Sequence, residues 1–288
     1  MNLTSPSQVK SWCIENGFHP NKVLGQNFLI DQNALKAIVD AGLEGLETGD
    51  ERRDRRVSSL PSHVLEIGPG LGVLTEEMLK RGCEVTAIEK DPVLAARLEK
   101  EAKARGEGEQ WWKNLSVIAG DALDWIAKDL RRETEDARFD RMISNLPYQA
   151  GTRILLELVK ARQLKSMTVL VQTEVAERLA AQEGSKTRGL AGVWAQLDYD
   201  VRIVRKVSAS CFWPRPEIGS SVVRLDRHDR NLDLSGEERQ LFHRLTKQAF
   251  EHRRKQLGSI FRDMIQSTAR AEELSNEDWI NLVKELAK

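Results

Sequence analysis

Short apolar runs recur along this chain, each closed by glycine or an acidic residue and each followed by a segment of helical period. Val64-Leu65-Glu66-Ile67 runs into Gly68-Pro69-Gly70-Leu71-Gly72, and a helical segment through Leu74, Met78 and Leu79 leads to Gly82. Val85-Thr86-Ala87-Ile88 ends at Glu89, and Asp91-Pro92 opens a helix with Leu94 and Leu98. Leu115-Ser116-Val117-Ile118 ends at Gly120-Asp121, ahead of a helix around Trp125-Ile126. Phe139 to Ser144 reads as a fourth strand, Thr152 to Ala161 as a helix and Met167 to Val171 as a fifth strand. Alternation at this spacing predicts an α/β fold with a doubly wound, mostly parallel sheet.

The flanks add to this frame. Pro6 behind Ser5 predicts a helix from about Ser7 to Asn16, and Asp31 can cap a helix bearing Leu35, Ile38, Val39 and Leu43. Between them Lys22 to Leu29 reads as a loop with an amide pair, Gln26-Asn27, and apolar anchors. From Glu44 to Ser62 the chain is polar, with Glu51-Arg52-Arg53-Asp54-Arg55-Arg56. That run reads as a solvated surface insertion, with nucleic-acid contact as the alternative. Helices are expected from Glu174 to Ala181 and around Val193 to Leu197. Asp200 to Arg205 and Ser221 to Leu225 alternate as strands, expected to pair antiparallel at the sheet edge. Beyond a charged linker from Asp226 to Asp233, helical periodicity returns at Leu241, Leu245, Ala249, Leu257, Ile260, Phe261, Trp279, Leu282 and Val283. Two domains are expected, a large one over residues 1–230 and a small helical one over 231–288.

Lys+Arg and Asp+Glu number 44 each, so any nucleic-acid surface must come from uneven charge distribution. Cys13, Cys83 and Cys211 are odd in number and far apart, with no metal-ligand or disulfide spacing, which suits a reducing cytoplasm. His19, His63, His228, His243 and His252 make no spaced cluster, and no metal is expected. No apolar run approaches the ~18 residues of a membrane span, and no membrane association is expected.

The polar residues fall at the carboxyl ends of the expected strands, where ligands bind in an open parallel sheet. Gly68 and Gly70 let a ligand approach the backbone, or simply make a tight strand–helix turn. Glu89 lies 21 residues after Gly68, where a carboxylate accepts two ribose hydroxyls, a spacing that also suits NAD. Asp121 could accept from an adenine amino group and could equally cap its helix. A dinucleotide needs its pyrophosphate on the helix N-terminus. S-adenosylmethionine has none, carries a sulfonium cation, and suits Glu66, Glu89 and Asp121 better.

The fourth strand delivers Asn145-Leu146-Pro147-Tyr148 to the same edge. The lone pair of an exocyclic base amine is delocalised into its ring. Two acceptors on its N–H groups, the Asn145 side-chain oxygen and the Leu146 carbonyl fixed by Pro147, would return that pair to nitrogen. Tyr148 could stack on the base, at about 1–3 kcal/mol. A polar turn is the plainer reading of the same four residues.

In order along the chain, Gly25-Gln26-Asn27-Phe28-Leu29, Leu65 to Gly72, Gly120-Asp121-Ala122-Leu123, Asn145 to Tyr148, Gln172 to Leu179, Phe212-Trp213-Pro214-Arg215-Pro216 and Arg253-Arg254-Lys255 resemble the small-subunit ribosomal RNA adenine dimethyltransferases. The resemblance implies a Rossmann-like methyltransferase sheet. It also implies dimethylation at N6 of two adjacent adenines in a hairpin loop near the RNA's 3′ end, on ribosomal RNA or a pre-30S particle, by a monomer. Cofactor contacts from Asn27, Leu29, Gly68, Glu89, Asp121 and Asn145 are implied, with Phe212 as a second aromatic beside the adenine. His252-Arg253-Arg254-Lys255, with Arg244 and Lys247, reads as a basic helix start, a solvated face by itself and a phosphate contact given the resemblance. Two runs depart from the family's usual pattern, Gln149-Ala150-Gly151-Thr152-Arg153 and Arg188-Gly189-Leu190-Ala191, both expected near the substrate mouth.

Overall fold

The structure is a computed structural model and describes residues 1–45, 62–130, 139–231 and 233–287. The charged insertion over 47–56 lies outside the described residues. The chain divides into two compact units, Met1–Thr173 with Val204–Arg224, and Glu174–Ile203 with Leu225–Lys288.

Helix α1 (Pro6–Glu15) starts on Pro6, at a position where a missing N–H costs nothing. After the two-residue strand β1 (Phe28–Leu29), α2 (Gln32–Leu43) is capped by Asp31, whose carboxylate accepts from Ala34 N at 2.7 Å. Then come β2 (His63–Ile67), α3 (Val73–Lys80), β3 (Glu84–Glu89), α4 (Pro92–Arg105), β4 (Leu115–Ala119), α5 (Ala122–Trp125), β5 (Arg141–Asn145), α6 (Gly151–Ala161) and β6 (Ser166–Gln172). Helices α4 and α5 start where the sequence places caps: Asp91 accepts from Val93 N and Asp121 from Leu123 N. Next follow α7 (Thr173–Ala180), α8 (Leu190–Asp198), β7 (Tyr199–Val207), β8 (Phe212–Trp213), β9 (Ser220–Arg227), α9 (Gly236–Glu251), α10 (Leu257–Phe261) and α11 (Asn276–Leu286).

The main sheet runs β4-β3-β2-β5-β6-β9-β7, and the pairs β2–β3, β3–β4, β2–β5 and β5–β6 are parallel. The chain builds outward from β2 to β3 and β4, then returns to lay β5 and β6 on the other side. The winding therefore reverses between β2 and β5. The sequence expectation of a doubly wound sheet holds, with β9 and β7 neighbours at the far edge. A second, two-stranded sheet pairs β1 with β8 antiparallel, Phe28 opposite Trp213 and Leu29 opposite Phe212.

The expected boundary after residue 230 is not where the units part. In the second unit α8 is buried almost all round, at Gly192, Val193, Trp194, Ala195, Leu197 and Asp198. Trp194 Nε1 donates to Thr246 Oγ1 of α9 at 2.9 Å, and the buried Asp198 carboxylate takes the Arg239 guanidinium at 2.9 Å. These contacts draw the segment from Glu174 into the C-terminal unit, while the charged linker marks only a change of composition. A basic helix start at Arg253 is also absent. Helix α9 ends at Glu251, and residues 252–255 form a turn. Among the described residues no helix is long and apolar enough to cross a membrane.

In the first unit α2 lies directly on β5. A Cβ on Gly42 would fall 2.4 Å from Ile143 Cδ1, and Ile143 is fully buried. Gly42→Ala is expected to destabilise the protein by about 1–3 kcal/mol through overpacking. Adding Ile143→Val, which removes that Cδ1 atom, should recover part of the loss in denaturant titration; no recovery would mean that α2 and β5 do not meet there.

Candidate functional site

Beyond the carboxyl ends of β2, β3 and β5 lies a cavity of about 510 Å3, within the size range of small-molecule sites. Its floor is the turn after β2. Gly70 has φ +59°, and a Cβ there would come 3.1 Å from the Phe28 ring, so the turn needs glycine for both its backbone and its neighbour. Gly70 N donates to Glu89 Oε2 at 2.9 Å, and Glu89 Oε1 accepts from Asp91 N at 2.9 Å. Both oxygens are thus aimed by backbone, and a carboxylate with about four lone-pair sites retains capacity for a ligand's hydroxyls. Arg97 donates to the Leu71 carbonyl at 2.7 Å and holds the turn from α4.

Three carboxylates line the cavity, each in a different state. Glu66 is 1 % exposed and accepts from Thr75 Oγ1 at 2.6 Å; burial pushes its pKa up to about 8, and the Glu89 charge adds to the rise. Burial also raises Glu89, against the pull of its backbone donors. Asp121 is held low, first by Lys90 Nζ at 2.8 Å, and its other oxygen caps α5 at Leu123 N. Capping and cavity lining coexist in this residue. Three acids against Lys90 and Arg153 on the wall suit a ligand bearing hydroxyls and positive charge better than a pyrophosphate.

Asn145 stands at the end of β5. Its Nδ2 donates to the Asn27 carbonyl at 3.1 Å, which leaves Oδ1 as the free face of the amide. Leu146 is 2 % exposed and its N–H donates to the Leu170 carbonyl at 3.2 Å. Pro147 passes its own carbonyl to Gly151 N at 2.7 Å, so Gly151, one of the departures from the family pattern, continues the turn. The hydroxyl of Tyr148 lies 2.7 Å from Ser220 Oγ. The loop before β1 backs this turn: a Cβ on Gly25 would fall 3.1 Å from Tyr148 N, and Gln26 Nε2 donates to Asp91 Oδ2 at 2.8 Å.

The cavity wall therefore brings together Asn27, Leu29, Gly68, Gly70, Glu89, Asp121, Asn145, Leu146, Pro147 and Tyr148. Phe212 is not among them. It is 2 % exposed, opposite Leu29 in the β1–β8 pair, and packs into the apolar cluster with Leu35 and Ile38. Arg188 is buried in the second unit and donates to the Ala181 carbonyl and to Asn276 Oδ1, a structural tie. In the same unit Arg253 bonds the Lys186 carbonyl and lies 3.5 Å from Glu272, while Arg254 and Lys255 are exposed. Sequence reasoning missed Lys90, Arg97 and Ser220, none of which stands at a recognisable spacing from the residue it serves, whereas Arg153, from a run expected near the substrate mouth, does line the cavity. Among the described residues no group of His, Cys, Asp and Glu could hold a metal ion.

A doubly wound, mostly parallel sheet thus carries an acidic, glycine-floored cavity at its switch point, a Rossmann-like architecture. Two solved structures share the fold: a dimethyladenosine transferase from Plasmodium falciparum (TM-score 0.68, 23% identity, covering 90% of this chain and 97% of that one) and the 23S rRNA methyltransferase ErmE (TM-score 0.61, 23% identity, 91% and 100%). The chain belongs to the ribosomal RNA adenine dimethylase family, whose model matches residues 17–288. Its relatives include the ribosomal RNA small subunit methyltransferases A of Deinococcus radiodurans, 42% identical over 78% of this chain and 67% of that protein, and of Mycobacterium avium, 34% identical over 100% and 89%.

Glu66 supplies a pH signature. A carboxyl at about 8 in the fold and near 4.5 unfolded binds more protons when folded. Its contribution to stability is complete below the unfolded value and is lost as pH rises through the folded one. For the ligand-free protein, Glu66→Gln should flatten the fall of stability between pH 5 and 8, about that window, in denaturant titrations. Equal slopes in the two proteins would show that Glu66 is ionised throughout.

Proposed function

We propose that this chain transfers methyl groups from S-adenosylmethionine to N6 of two adjacent adenines in a hairpin loop near the 3′ end of small-subunit ribosomal RNA, during ribosome maturation in the cytoplasm. The observation that carries this reading is the Asn145 amide, turned by the Asn27 carbonyl at 3.1 Å so that its oxygen is left to accept from a base amine. When bound, the cofactor supplies an electrophilic methyl on a sulfonium.

Asn145 Oδ1 and the Leu146 carbonyl accept hydrogen bonds from the two amine N–H groups and return the lone pair to N6. Tyr148 offers its face to a base that has left its stack, which loop adenines do cheaply. Glu89 takes the ribose hydroxyls, Asp121 the adenine edge, and Glu66 faces the cationic end of the cofactor. The chemistry is positioning and desolvation, and no strong base is needed because the amine proton becomes acidic once nitrogen is methylated. In the second unit, Arg254 and Lys255 take RNA phosphates. The free thiols Cys13, Cys83 and Cys211 are compatible with a reducing compartment.

Tritiated methyl transfer to unmethylated small subunits, with large subunits as control, tests the reading. Asn145→Ala is expected to lower incorporation by about 10²-fold or more, the scale for removing one preorganised hydrogen-bond partner. Full incorporation by that variant would remove the amide from the mechanism, and labelling of large subunits alone would move the substrate. Arg254→Ala with Lys255→Ala should leave calorimetric cofactor binding intact. It should also weaken RNA binding and reduce the salt slope by about one per lost phosphate contact; an unaltered slope excludes the turn from the RNA surface.

A further inference from the structure

Tyr148 contributes to the cavity wall, and its phenol oxygen meets Ser220 Oγ at 2.7 Å, the usual length of an O–H···O bond. Ser220 is fully buried at the first position of β9. Both of its neighbours are tied to one residue. Thr173 N donates to the Gly219 carbonyl at 3.1 Å, and Thr173 Oγ1 lies 3.2 Å from Ser221 Oγ. A Cβ on Gly219 would come 3.2 Å from the Val207 carbonyl, so the backbone ahead of Ser220 is packed as well as bonded. At the other end of the tyrosine, Gly25 sits against the Tyr148 nitrogen. The ring is thus held at its main chain by one loop and at its hydroxyl by the start of β9. Burial raises the phenol's pKa, which keeps the hydroxyl neutral and able to donate.

We propose that Ser220 is a positioning residue for methyl transfer: its hydroxyl sets the direction of the Tyr148 ring on which the target adenine stacks. This rests on the function proposed above. With the main chain packed, the ring retains only its side-chain torsions, and the hydroxyl bond at the far end removes the swing of the ring about Cα–Cβ. A base stacked on a ring free to tilt is displaced at its amine edge, and a misplacement of about 1 Å costs on the order of a hundredfold in rate. The Asn145 amide and the Tyr148 ring would then each be set by a single bond from outside their loop, one from Asn27 and one from Ser220.

The test is steady-state methyl transfer to small subunits by Ser220→Ala, Tyr148→Phe and the double variant. Each single variant should lower kcat roughly tenfold, with KM for RNA and calorimetric Kd for S-adenosylmethionine unchanged. The double variant should be no slower than either single one, because both remove the same bond. A residue that only supports the fold would lower Tm and leave kcat intact below the transition. Wild-type kcat in Ser220→Ala, or losses that multiply in the double variant, overturns the proposal. If Ser220→Ala does not fold, Tyr148→Phe decides alone, and wild-type kcat there overturns it. With 3-fluorotyrosine in the chain's two tyrosines, Ser220→Ala should shift the Tyr148 fluorine resonance and leave that of Tyr199. Should the wild-type chain methylate no RNA, the proposed function falls, and an unmoved Tyr148 resonance would then overturn the tether as well.

Discussion

The cavity depends on the way β2 and β5 part company. Their ladder pairs only Val64 with Arg141 and Leu65 with Met142, after which the strands cease to pair. One residue beyond Glu66 the N–H of Ile67 is taken not by backbone but by Ser144 Oγ at 2.9 Å, across 77 residues of chain. A fully buried side chain thus closes a seam that the main chain leaves open. Because the winding reverses at this pair, the crossover helices leave in opposite directions. The glycine turn after β2 and the Asn145 turn after β5 consequently face one space.

What fills that space electrostatically follows from how each acid is held. Among the described residues Glu66 has only the Thr75 hydroxyl as donor, and it has a carboxylate neighbour, so burial wins and pushes its pKa up to about 8. Glu89 has backbone donors, Gly70 and Asp91 among them, which oppose the same desolvation without cancelling it. Asp121 is the least buried and has Lys90, so it is ionised most readily. One cavity therefore grades from a neutral acid in its depth to a screened carboxylate at its mouth. A cation entering the deep end would favour ionisation of Glu66 by Coulomb attraction where the dielectric is lowest.

The groups that would act on a base are oriented by parts of the chain remote from them. The loop at Gly25 to Asn27 supplies the carbonyl that turns the Asn145 amide, and β9 supplies the hydroxyl that meets Tyr148. The two-stranded sheet of β1 and β8 anchors that loop, with Leu29 and Phe212 buried opposite each other. Phe212 packs in the same apolar cluster as Leu29. It follows the period-two rule, by which neighbouring side chains in a strand point to opposite faces, and its face is the core.

The sequence by itself determined the mostly parallel sheet, the places along the chain of five of its strands, the acidic and glycine-bearing strand ends and the Asn145 turn. Each rests on local physics: apolar runs of strand length, aspartate caps, and turn residues at the switch edge. It also carried the family pattern. Only the tertiary structure decided that Phe212 lies in the core, that Arg253 belongs to a turn, and that the segment from Glu174 joins the C-terminal helices. The same holds for Lys90, Arg97 and Ser220 as supports of the site. Burial of one helix against another and bonds between distant residues leave no periodic trace in a linear chain. Such partners become visible only once the backbone has brought them within a few ångströms.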